Sequence, residues 1–268
     1  MTGAAAPPAL ATAGHHGEFH AASGLAVVIG ARGGLGEALC QHLRRDARFA
    51  QVLAAGRRPD AAQPTATADR GVDLDIDIDL LDEARIAAAA AQIGERVHAG
   101  LPLRLVIDAT GFLHGRGFEP EKSWRDLDAA HMAHAYAVNA IGPALLMKHL
   151  LPLLAPSGKA VFATLSAKVA SIGDNRLGGW YSYRASKAAL NQLVHTAAIE
   201  LARRKPEALC VALHPGTVDT QLSAPFAKSG LDVQTPNAAA ARLLAVIDGL
   251  SAKDSGGFFN HHGEVLPW

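Results

Sequence analysis

The stretch "WYSYRASKAAL", Trp180 to Leu190, sets Tyr183 four residues before Lys187 with the small Ser186 between them. Residues four apart on a helix face the same way, so the lysine can lie beside the phenol. A free phenol titrates near about 10. A fixed ammonium close by favours the phenolate and lowers that value. A drop of about two to three units takes roughly 3–4 kcal/mol, within reach of a close, poorly hydrated charge pair. A tyrosine tuned in this way can give or take a proton near neutral pH. Hydride transfer to a carbonyl needs such a group, because the oxygen must be protonated as hydride reaches carbon. Y-x-x-x-K alone is a frequent chance match on helix surfaces, and its weight here comes from what precedes it.

What precedes it is "VVIGARGGLGEAL", in which Gly30, Gly34 and Gly36 fall between an apolar run and an amphipathic one. The spacing is G-x-x-x-G-x-G rather than the commoner G-x-G-x-x-G. The physics is shared: glycines let the backbone turn tightly and approach a pyrophosphate at a helix N-terminus. A tight turn with no ligand would look the same in isolation. Further on, "AAGRRPD" ends a second apolar run with Gly56, Arg57 and Arg58. An acidic residue near this position would suit the ribose hydroxyls of NAD(H). Arginines here, with Arg32 inside the glycine loop, suit a 2′-phosphate. The expected cofactor is NADP(H), with NAD(H) as the alternative. Two arginines capping a strand end in water are the bland reading.

These groups need a scaffold, and its elements can be read in order. Buried strands are predicted at Leu25–Gly30, Gln51–Gly56, Leu101–Gly111, Lys159–Ala167 and Ala208–Gly216, with a short last one at Gly256–Asn260. "GVDLDIDIDL" (Gly71–Leu80) alternates apolar and acidic residues, the period of a half-buried strand. Helical patterns follow each strand: "LGEALCQHLRRD", "DEARIAAAAAQIGERV", a long "HMAHAYAVNAIGPALLMKHLLPLLA" with a Gly142-Pro143 step inside, the stretch from Trp180 to about Arg204, and "TPNAAAARLLAVIDGL". Alternation of this kind predicts an α/β fold, a single Rossmann-type, doubly wound parallel sheet with helices on both faces. Residues 1–23 read as a flexible alanine-rich leader and residues 24–268 as one domain.

Composition narrows the class. The chain has 268 residues, 49% of them hydrophobic, enough for a large core, and a formal net charge of zero. Charge neutrality argues against a general nucleic-acid or membrane-surface binder. No apolar run reaches bilayer length, and the first residues lack the pattern of a secretory signal. Cys40 and Cys210 sit in apolar segments and read as buried thiols of a cytoplasmic protein. Thirteen histidines include the pairs His15-His16 and His261-His262 and the i, i+3 pair His131 and His134. None comes with the partners of a closed metal site, so no metal is expected.

Taken in order, "GARGGLG", "DL" (Asp79-Leu80), "DATG" (Asp108–Gly111), "NAIG" (Asn139–Gly142), "YRASK" (Tyr183–Lys187) and "HPGTVDT" (His214–Thr220) resemble the short-chain dehydrogenase/reductase family. The resemblance runs from about Leu25 to the C-terminus. "SAKVASIGDNRLGGWYSYRASKAALN" and "FFNHHGEVLPW" further resemble its branch of C-factor-like and Sniffer-like carbonyl reductases.

The resemblance implies Tyr183 as general acid/base and Lys187 as the residue that lowers its pKa and holds the nicotinamide ribose. It implies Asn139 as holder of a water in a proton relay. It places Gly30, Arg32, Gly34, Leu35, Gly36 and Arg57 around the cofactor phosphates, and Asp79 and Leu80 at the adenine. Ala109 and Gly111 would line the cofactor, and Pro215, Gly216, Val218 and Thr220 would surround the nicotinamide amide. Each has a plainer alternative: Asp79 as a helix cap, Asn139 as a backbone ligand, Pro215-Gly216 as a strand-ending turn.

This chain departs from the family pattern in places. Ile29 stands where a hydroxyl residue is common, Asp108 where asparagine is, and Thr110 where alanine is. Ser166 is the first choice for the serine that binds the substrate oxygen, although relatives align theirs nearer Ala167. Ser171 is the second choice.

The expected activity is NADP(H)-dependent reduction of a ketone or aldehyde, or oxidation of the alcohol, with a mobile apolar lid from Thr220 to about Thr235. A non-catalytic NADP(H)-binding regulator is the alternative, disfavoured because tyrosine and lysine are both present. Dehydration or epimerisation would call for an extra substrate domain that the chain is too short to hold. The resemblance also implies a homodimer or homotetramer built on the helices around Asn139 and Lys187, with monomers known as well.

Overall fold

The computed structural model describes residues 24–58, 73–226 and 232–268. The leader, and Ala227 to Leu231 of the lid, lie outside the described residues. Seven strands form one parallel sheet: β1 (Gly24–Ile29), β2 (Phe49–Gly56), β3 (Ile76–Asp77), β4 (Leu103–Asp108), β5 (Ala160–Leu165), β6 (Ala208–His214) and, last in the chain, β9 (Phe258–Asn260). Their order is β3-β2-β1-β4-β5-β6-β9. The two-residue strands β7 (Thr217–Val218) and β8 (Val233–Gln234) pair apart from it.

Helices cover both faces. On one lie α1 (Gly34–Leu43) and α6 (Pro236–Gly249); on the other α2 (Glu83–His98), α4 (Gly142–Leu150) and α5 (Tyr181–Arg204). The short α3 (Ala129–Tyr136) packs against the start of α5. β1 shows why its sequence is apolar throughout. Leu25, Val27 and Ile29 join Ile86, Leu146 and Leu190 in one core, while Ala26 and Val28 join Leu39 and Leu243 in the other. A strand with a core on each side has no polar face to show.

The order in which strands are added reverses between β1 and β4, so the crossovers diverge there. In such sheets the crevice at the carboxyl ends of the strands is the place for a ligand. Gly30, Ala109, Ser166 and Pro215 directly follow β1, β4, β5 and β6. The fold thus gathers residues up to 185 positions apart along one edge.

Two predicted elements differ. The alternating stretch before Leu80 forms only a two-residue strand, because its acidic side chains bond across the sheet edge. Asp75 accepts from the Ala54 N–H and Asp77 from the Arg58 N–H, so the side chains occupy amides that a longer ladder would use. The long helix is also broken. Between α3 and α4, Ala137–Ile141 forms a π turn in which the Gly142 N–H reaches back to the Ala137 carbonyl. Pro143 has no N–H for the carbonyl of Asn139 four residues earlier. A Cβ at Gly142 would lie 2.7 Å from that of Leu80, so the glycine admits a close helix contact. π turns inside helices concentrate at functional positions, and this one carries Asn139.

Candidate active site

A cleft of about 350 Å³ opens at the switch point, walled by Gly30, Gly56, Arg57, Asp79, Ala109 and Gly111. Its floor is the glycine turn. Gly30 has φ +82°, a left-handed conformation that a side chain would strain. A Cβ on Gly36 would fall 2.2 Å from the Gly30 carbonyl oxygen, so α1 can start this close to the turn only with glycine there. Leu35 is buried beneath. Gly34 faces Thr220 and Pro236 across an ordinary contact distance, which brings the Pro215–Thr220 segment beside the loop. Val218 anchors that segment in the core.

Of the cations expected for a phosphate, Arg32 closely follows β1 and Arg57 directly follows β2. Arg57 is exposed on the wall of the cleft. Arg32 has its Nε buried without a hydrogen-bond partner, a donor that an anion would satisfy. Among the described residues Arg57 and Arg58 directly follow β2, and Asp77 takes the Arg58 N–H and an ion pair with Arg85. A nicotinamide dinucleotide, with its phosphates as acceptors, fits the unpartnered Arg32 donor, the glycine cradle and the crevice together. Asp79 is partly turned inward: it accepts from the Leu81 N–H, 3.0 Å away, before α2 begins at its Asp82 cap.

Asn139, from the π turn, is fully engaged. Its Oδ1 accepts from the Phe112 N–H at 2.8 Å, and its Nδ2 donates to the Phe112 carbonyl at 2.8 Å and to Ser186 Oγ at 3.0 Å. The amide therefore ties the segment after Gly111 to the helix that carries Tyr183 and Lys187. Ser186 in turn donates to the Tyr183 carbonyl at 3.0 Å.

Lys187 is buried and its Nζ donates to the Leu165 carbonyl at 2.7 Å. Burial pulls its pKa down to about 8, opposed by the negative charge of Asp108. Asp108 is itself buried at the end of β4. It accepts from Thr110 N and Oγ1 and from Thr164 Oγ1. The two threonines are legible only with the structure, because Thr164 reaches Asp108 through the β4–β5 register.

Tyr183 is half-buried, with the Trp180 ring edge-on at 6.2 Å. Here the expectation of a lowered phenol pKa meets a correction. Burial pushes Tyr183 up to about 12, and the Lys187 ammonium is directed at the Leu165 carbonyl. Desolvation of the phenolate is the cause of the rise.

The serines are placed less simply. Ser166 Oγ donates to Asn191 Oδ1 at 2.7 Å, at a helix position eight residues, or roughly 12 Å of helix, beyond Tyr183. Asn191 Nδ2 is buried and lacks a partner. Ser171 Oγ donates to the Trp268 carbonyl and accepts from the Asp174 N–H, so both its functions hold a loop. Neither hydroxyl bonds to Tyr183.

Above the tyrosine sits an aromatic cover. Phe226 lies edge-on to Trp180 at 5.2 Å and to His114 at 5.3 Å, and a His114 ring nitrogen meets the Gln221 carbonyl. Of the expected lid, Gln221 and Phe226 are thus in contact with His114 and Trp180. His114 carries no motif, and no sequence signal pointed to it. Among the described residues no cluster of histidine, cysteine and carboxylate could hold a metal ion, and no helix is long and apolar enough to cross a membrane. Cys40 and Cys210 are free and buried, with thiol pKa values raised to about 11 and about 12 by desolvation.

Comparison with known proteins follows the same line. The family profile described as "short chain dehydrogenase" matches residues 24–229. The chain is 37% identical over 145 residues to the C-signal protein of Myxococcus xanthus, covering 53% of this chain and 82% of that one. It is 30% identical over 246 residues to 1-hydroxy-2-glutathionyl-2-methyl-3-butene dehydrogenase of Rhodococcus sp. strain AD45, covering 90% and 98%. Among solved structures, an NADPH-bound carbonyl reductase from chicken fatty liver superposes with a TM-score of 0.79 at 30% identity, covering 95% of this chain and 97% of that one.

Proposed function

The chain belongs to the short-chain dehydrogenase family, oxidoreductases that act on small molecules with nicotinamide cofactors, and from that premise we propose that it is an NADPH-dependent carbonyl reductase with Tyr183 as its proton donor. The observation that carries this reading is the joint placement of Tyr183, Lys187 and Asn139 at the carboxyl ends of the strands, beside a cleft with a free guanidinium donor.

The cleft would hold a reduced nicotinamide dinucleotide, whose chemistry when bound would be hydride donation to the carbonyl carbon. Tyr183 gives its phenolic proton to the carbonyl oxygen, so that an alcohol leaves and solvent restores the phenol. Burial holds the phenol in its protonated form, the form that reduction draws on. Lys187 holds the ribose hydroxyls and contributes a positive charge as the phenolate forms. Asn139 fixes Phe112, and with it the wall of the site. Arg32 and Arg57 bind the 2′-phosphate. The cover of Phe226, Trp180 and His114 excludes water from the reacting carbonyl.

Ser166 keeps the second place at the substrate oxygen on one condition. Turning the Asn191 amide over would bring its unpartnered Nδ2 to Ser166 Oγ and release the serine proton. Ser166→Ala is then expected to lower kcat by roughly 10²-fold, the effect of losing one oxyanion donor, with Ser171→Ala within a few-fold of wild type. A large loss in Ser171→Ala alone would transfer the role.

Cofactor choice is a separate measurement. Arg57→Ala and Arg32→Ala are each expected to raise KM for NADPH by about tenfold and to leave KM for NADH nearly unchanged, since a charge-assisted bond contributes about 1.5–3 kcal/mol. Equal effects on both cofactors would remove the 2′-phosphate assignment.

A further inference from the structure

The helix that carries Tyr183 starts without the usual means of doing so. Its cap residue, Trp180, is in the left-handed conformation (φ 53°, ψ 42°) and offers no side-chain cap. No acidic residue lies in the first turn. The free N–H groups of a helix start need acceptors, and the positive end of the helix dipole favours an anion.

The acceptors come from another part of the chain. Glu121, 2% exposed, follows β4 by thirteen residues and reaches the first turn of α5. Its carboxylate accepts from the Ser182 N–H at 3.2 and 3.3 Å and from the Ser182 hydroxyl. Its backbone carbonyl accepts from the Trp180 N–H. On its far side His131 Nδ1, on α3, lies 3.3 Å from the carboxylate. His131 is 4% exposed, stacked on Phe118 at 5.0 Å and edge-on to Phe112 at 6.0 Å.

A carboxylate this deep is costly unless several polar groups meet it, and here three do: the Ser182 N–H, the Ser182 hydroxyl and the His131 ring. Replacing such a cluster by apolar residues is often neutral or stabilising, so stability alone gives little reason for it. Its location gives one. Ser182 adjoins Tyr183, and Ser186, which Asn139 holds, closes the same turn from the other side. The catalytic tyrosine sits between two clamps, both rooted in the Gly111–Glu121 segment that walls the cleft.

We propose that Glu121, with His131 behind it, is a positioning residue: an anionic cap supplied from outside the helix that fixes the first turn of α5 and so aims Tyr183 at the substrate oxygen. The inference rests on the reductase reading for its kinetic arm and on the fold alone for its structural arm. Misplacement by about 1 Å can lower catalysis by about 10²-fold.

The test uses the full chain and three variants. Glu121→Gln keeps the shape and removes the charge, Glu121→Ala removes the cap, and Ser182→Ala removes one donor and keeps the N–H. The variants are assayed for kcat, for cofactor affinity by NADPH fluorescence, and for the solvent deuterium isotope effect on kcat. Amide hydrogen exchange of Tyr181–Arg184 is followed by mass spectrometry. The expected result is a loss in kcat of about tenfold for Glu121→Gln and more for Glu121→Ala, cofactor affinity within about twofold, a larger solvent isotope effect, and faster exchange in the first turn of α5. A merely structural role would not raise the isotope effect in Glu121→Gln. Unchanged kcat and unchanged exchange in both Glu121 variants would overturn the proposal. If wild type reduces no carbonyl, the reductase reading fails, and the exchange result still decides whether Glu121 orders the helix start.

Discussion

Tyr183→Phe is expected to lose about 10²–10⁴-fold in kcat for carbonyl reduction while binding NADPH as tightly as wild type. The substitution removes one oxygen and its proton and leaves the ring, so the contact with Trp180 at 6.2 Å should survive. The phenol is half-buried and held protonated by its burial, Lys187 faces the Leu165 carbonyl and Asp108 is bonded to two threonines. The measurement is loss of cofactor absorbance across a panel of ketones and aldehydes, with NADPH fluorescence reporting binding. A variant that keeps kcat within a few-fold would mean that protons come from elsewhere, and would favour a chain that binds the cofactor without this chemistry.

The second expected result concerns pH, where activity and stability should move in opposite directions. Lys187 has a folded-state pKa near 8, below the ordinary value for lysine, because burial penalises its charge. For reduction, kcat/KM should be level below about pH 8 and fall by about tenfold per unit above it, as the ammonium loses its proton. Asp108→Asn should move this limb to lower pH, since the carboxylate favours the charged form. The sign for folding is the reverse. Between pH 8 and the unfolded lysine value of about 10.4 the unfolded chain binds more protons than the native one, so stability rises with pH. The full excursion is roughly 3 kcal/mol. Tyr183 acts later and oppositely: its pKa is raised, so its contribution is present below about 10 and is lost as pH climbs through about 12. Urea unfolding of wild type and Lys187→Met at pH 7.5 and 9.5 isolates the lysine. A stability difference between the two proteins that stays constant across that interval would refute the buried-charge account.

Much of the fold was legible because its causes are local. The run "LAVVI" reads as a strand with two cores because every residue is apolar, and Leu25 and Ala26 do enter different ones. Thr235 and Pro236 announce α6, and the Thr235 side chain does cap it at the Ala238 N–H. Where local pattern misled, a distant partner was responsible. The alternation before Leu80 would be a strand in isolation, but Asp75 and Asp77 turn to the amides of β2. The helix through Asn139 is apolar at helical spacing on both sides of the break, and the π turn follows from Pro143 and from the approach of Leu80 to Gly142.

The candidate site divides along the same line. From residue types and spacing alone came Tyr183 and Lys187 one turn apart on a helix, the glycine turn at Gly30, and the two arginines after β2. Glycine conformation, helix period and formal charge are properties of a residue and its near neighbours. Only the tertiary structure decided how acidic each group is and what aims it. The phenol of Tyr183 is raised because the chain packs around it, Ser166 is held by Asn191 across a strand–helix contact, and Glu121 reaches Ser182 from 61 positions away. Desolvation and long-range hydrogen bonds depend on which surfaces the fold brings together, and no window of sequence contains both partners.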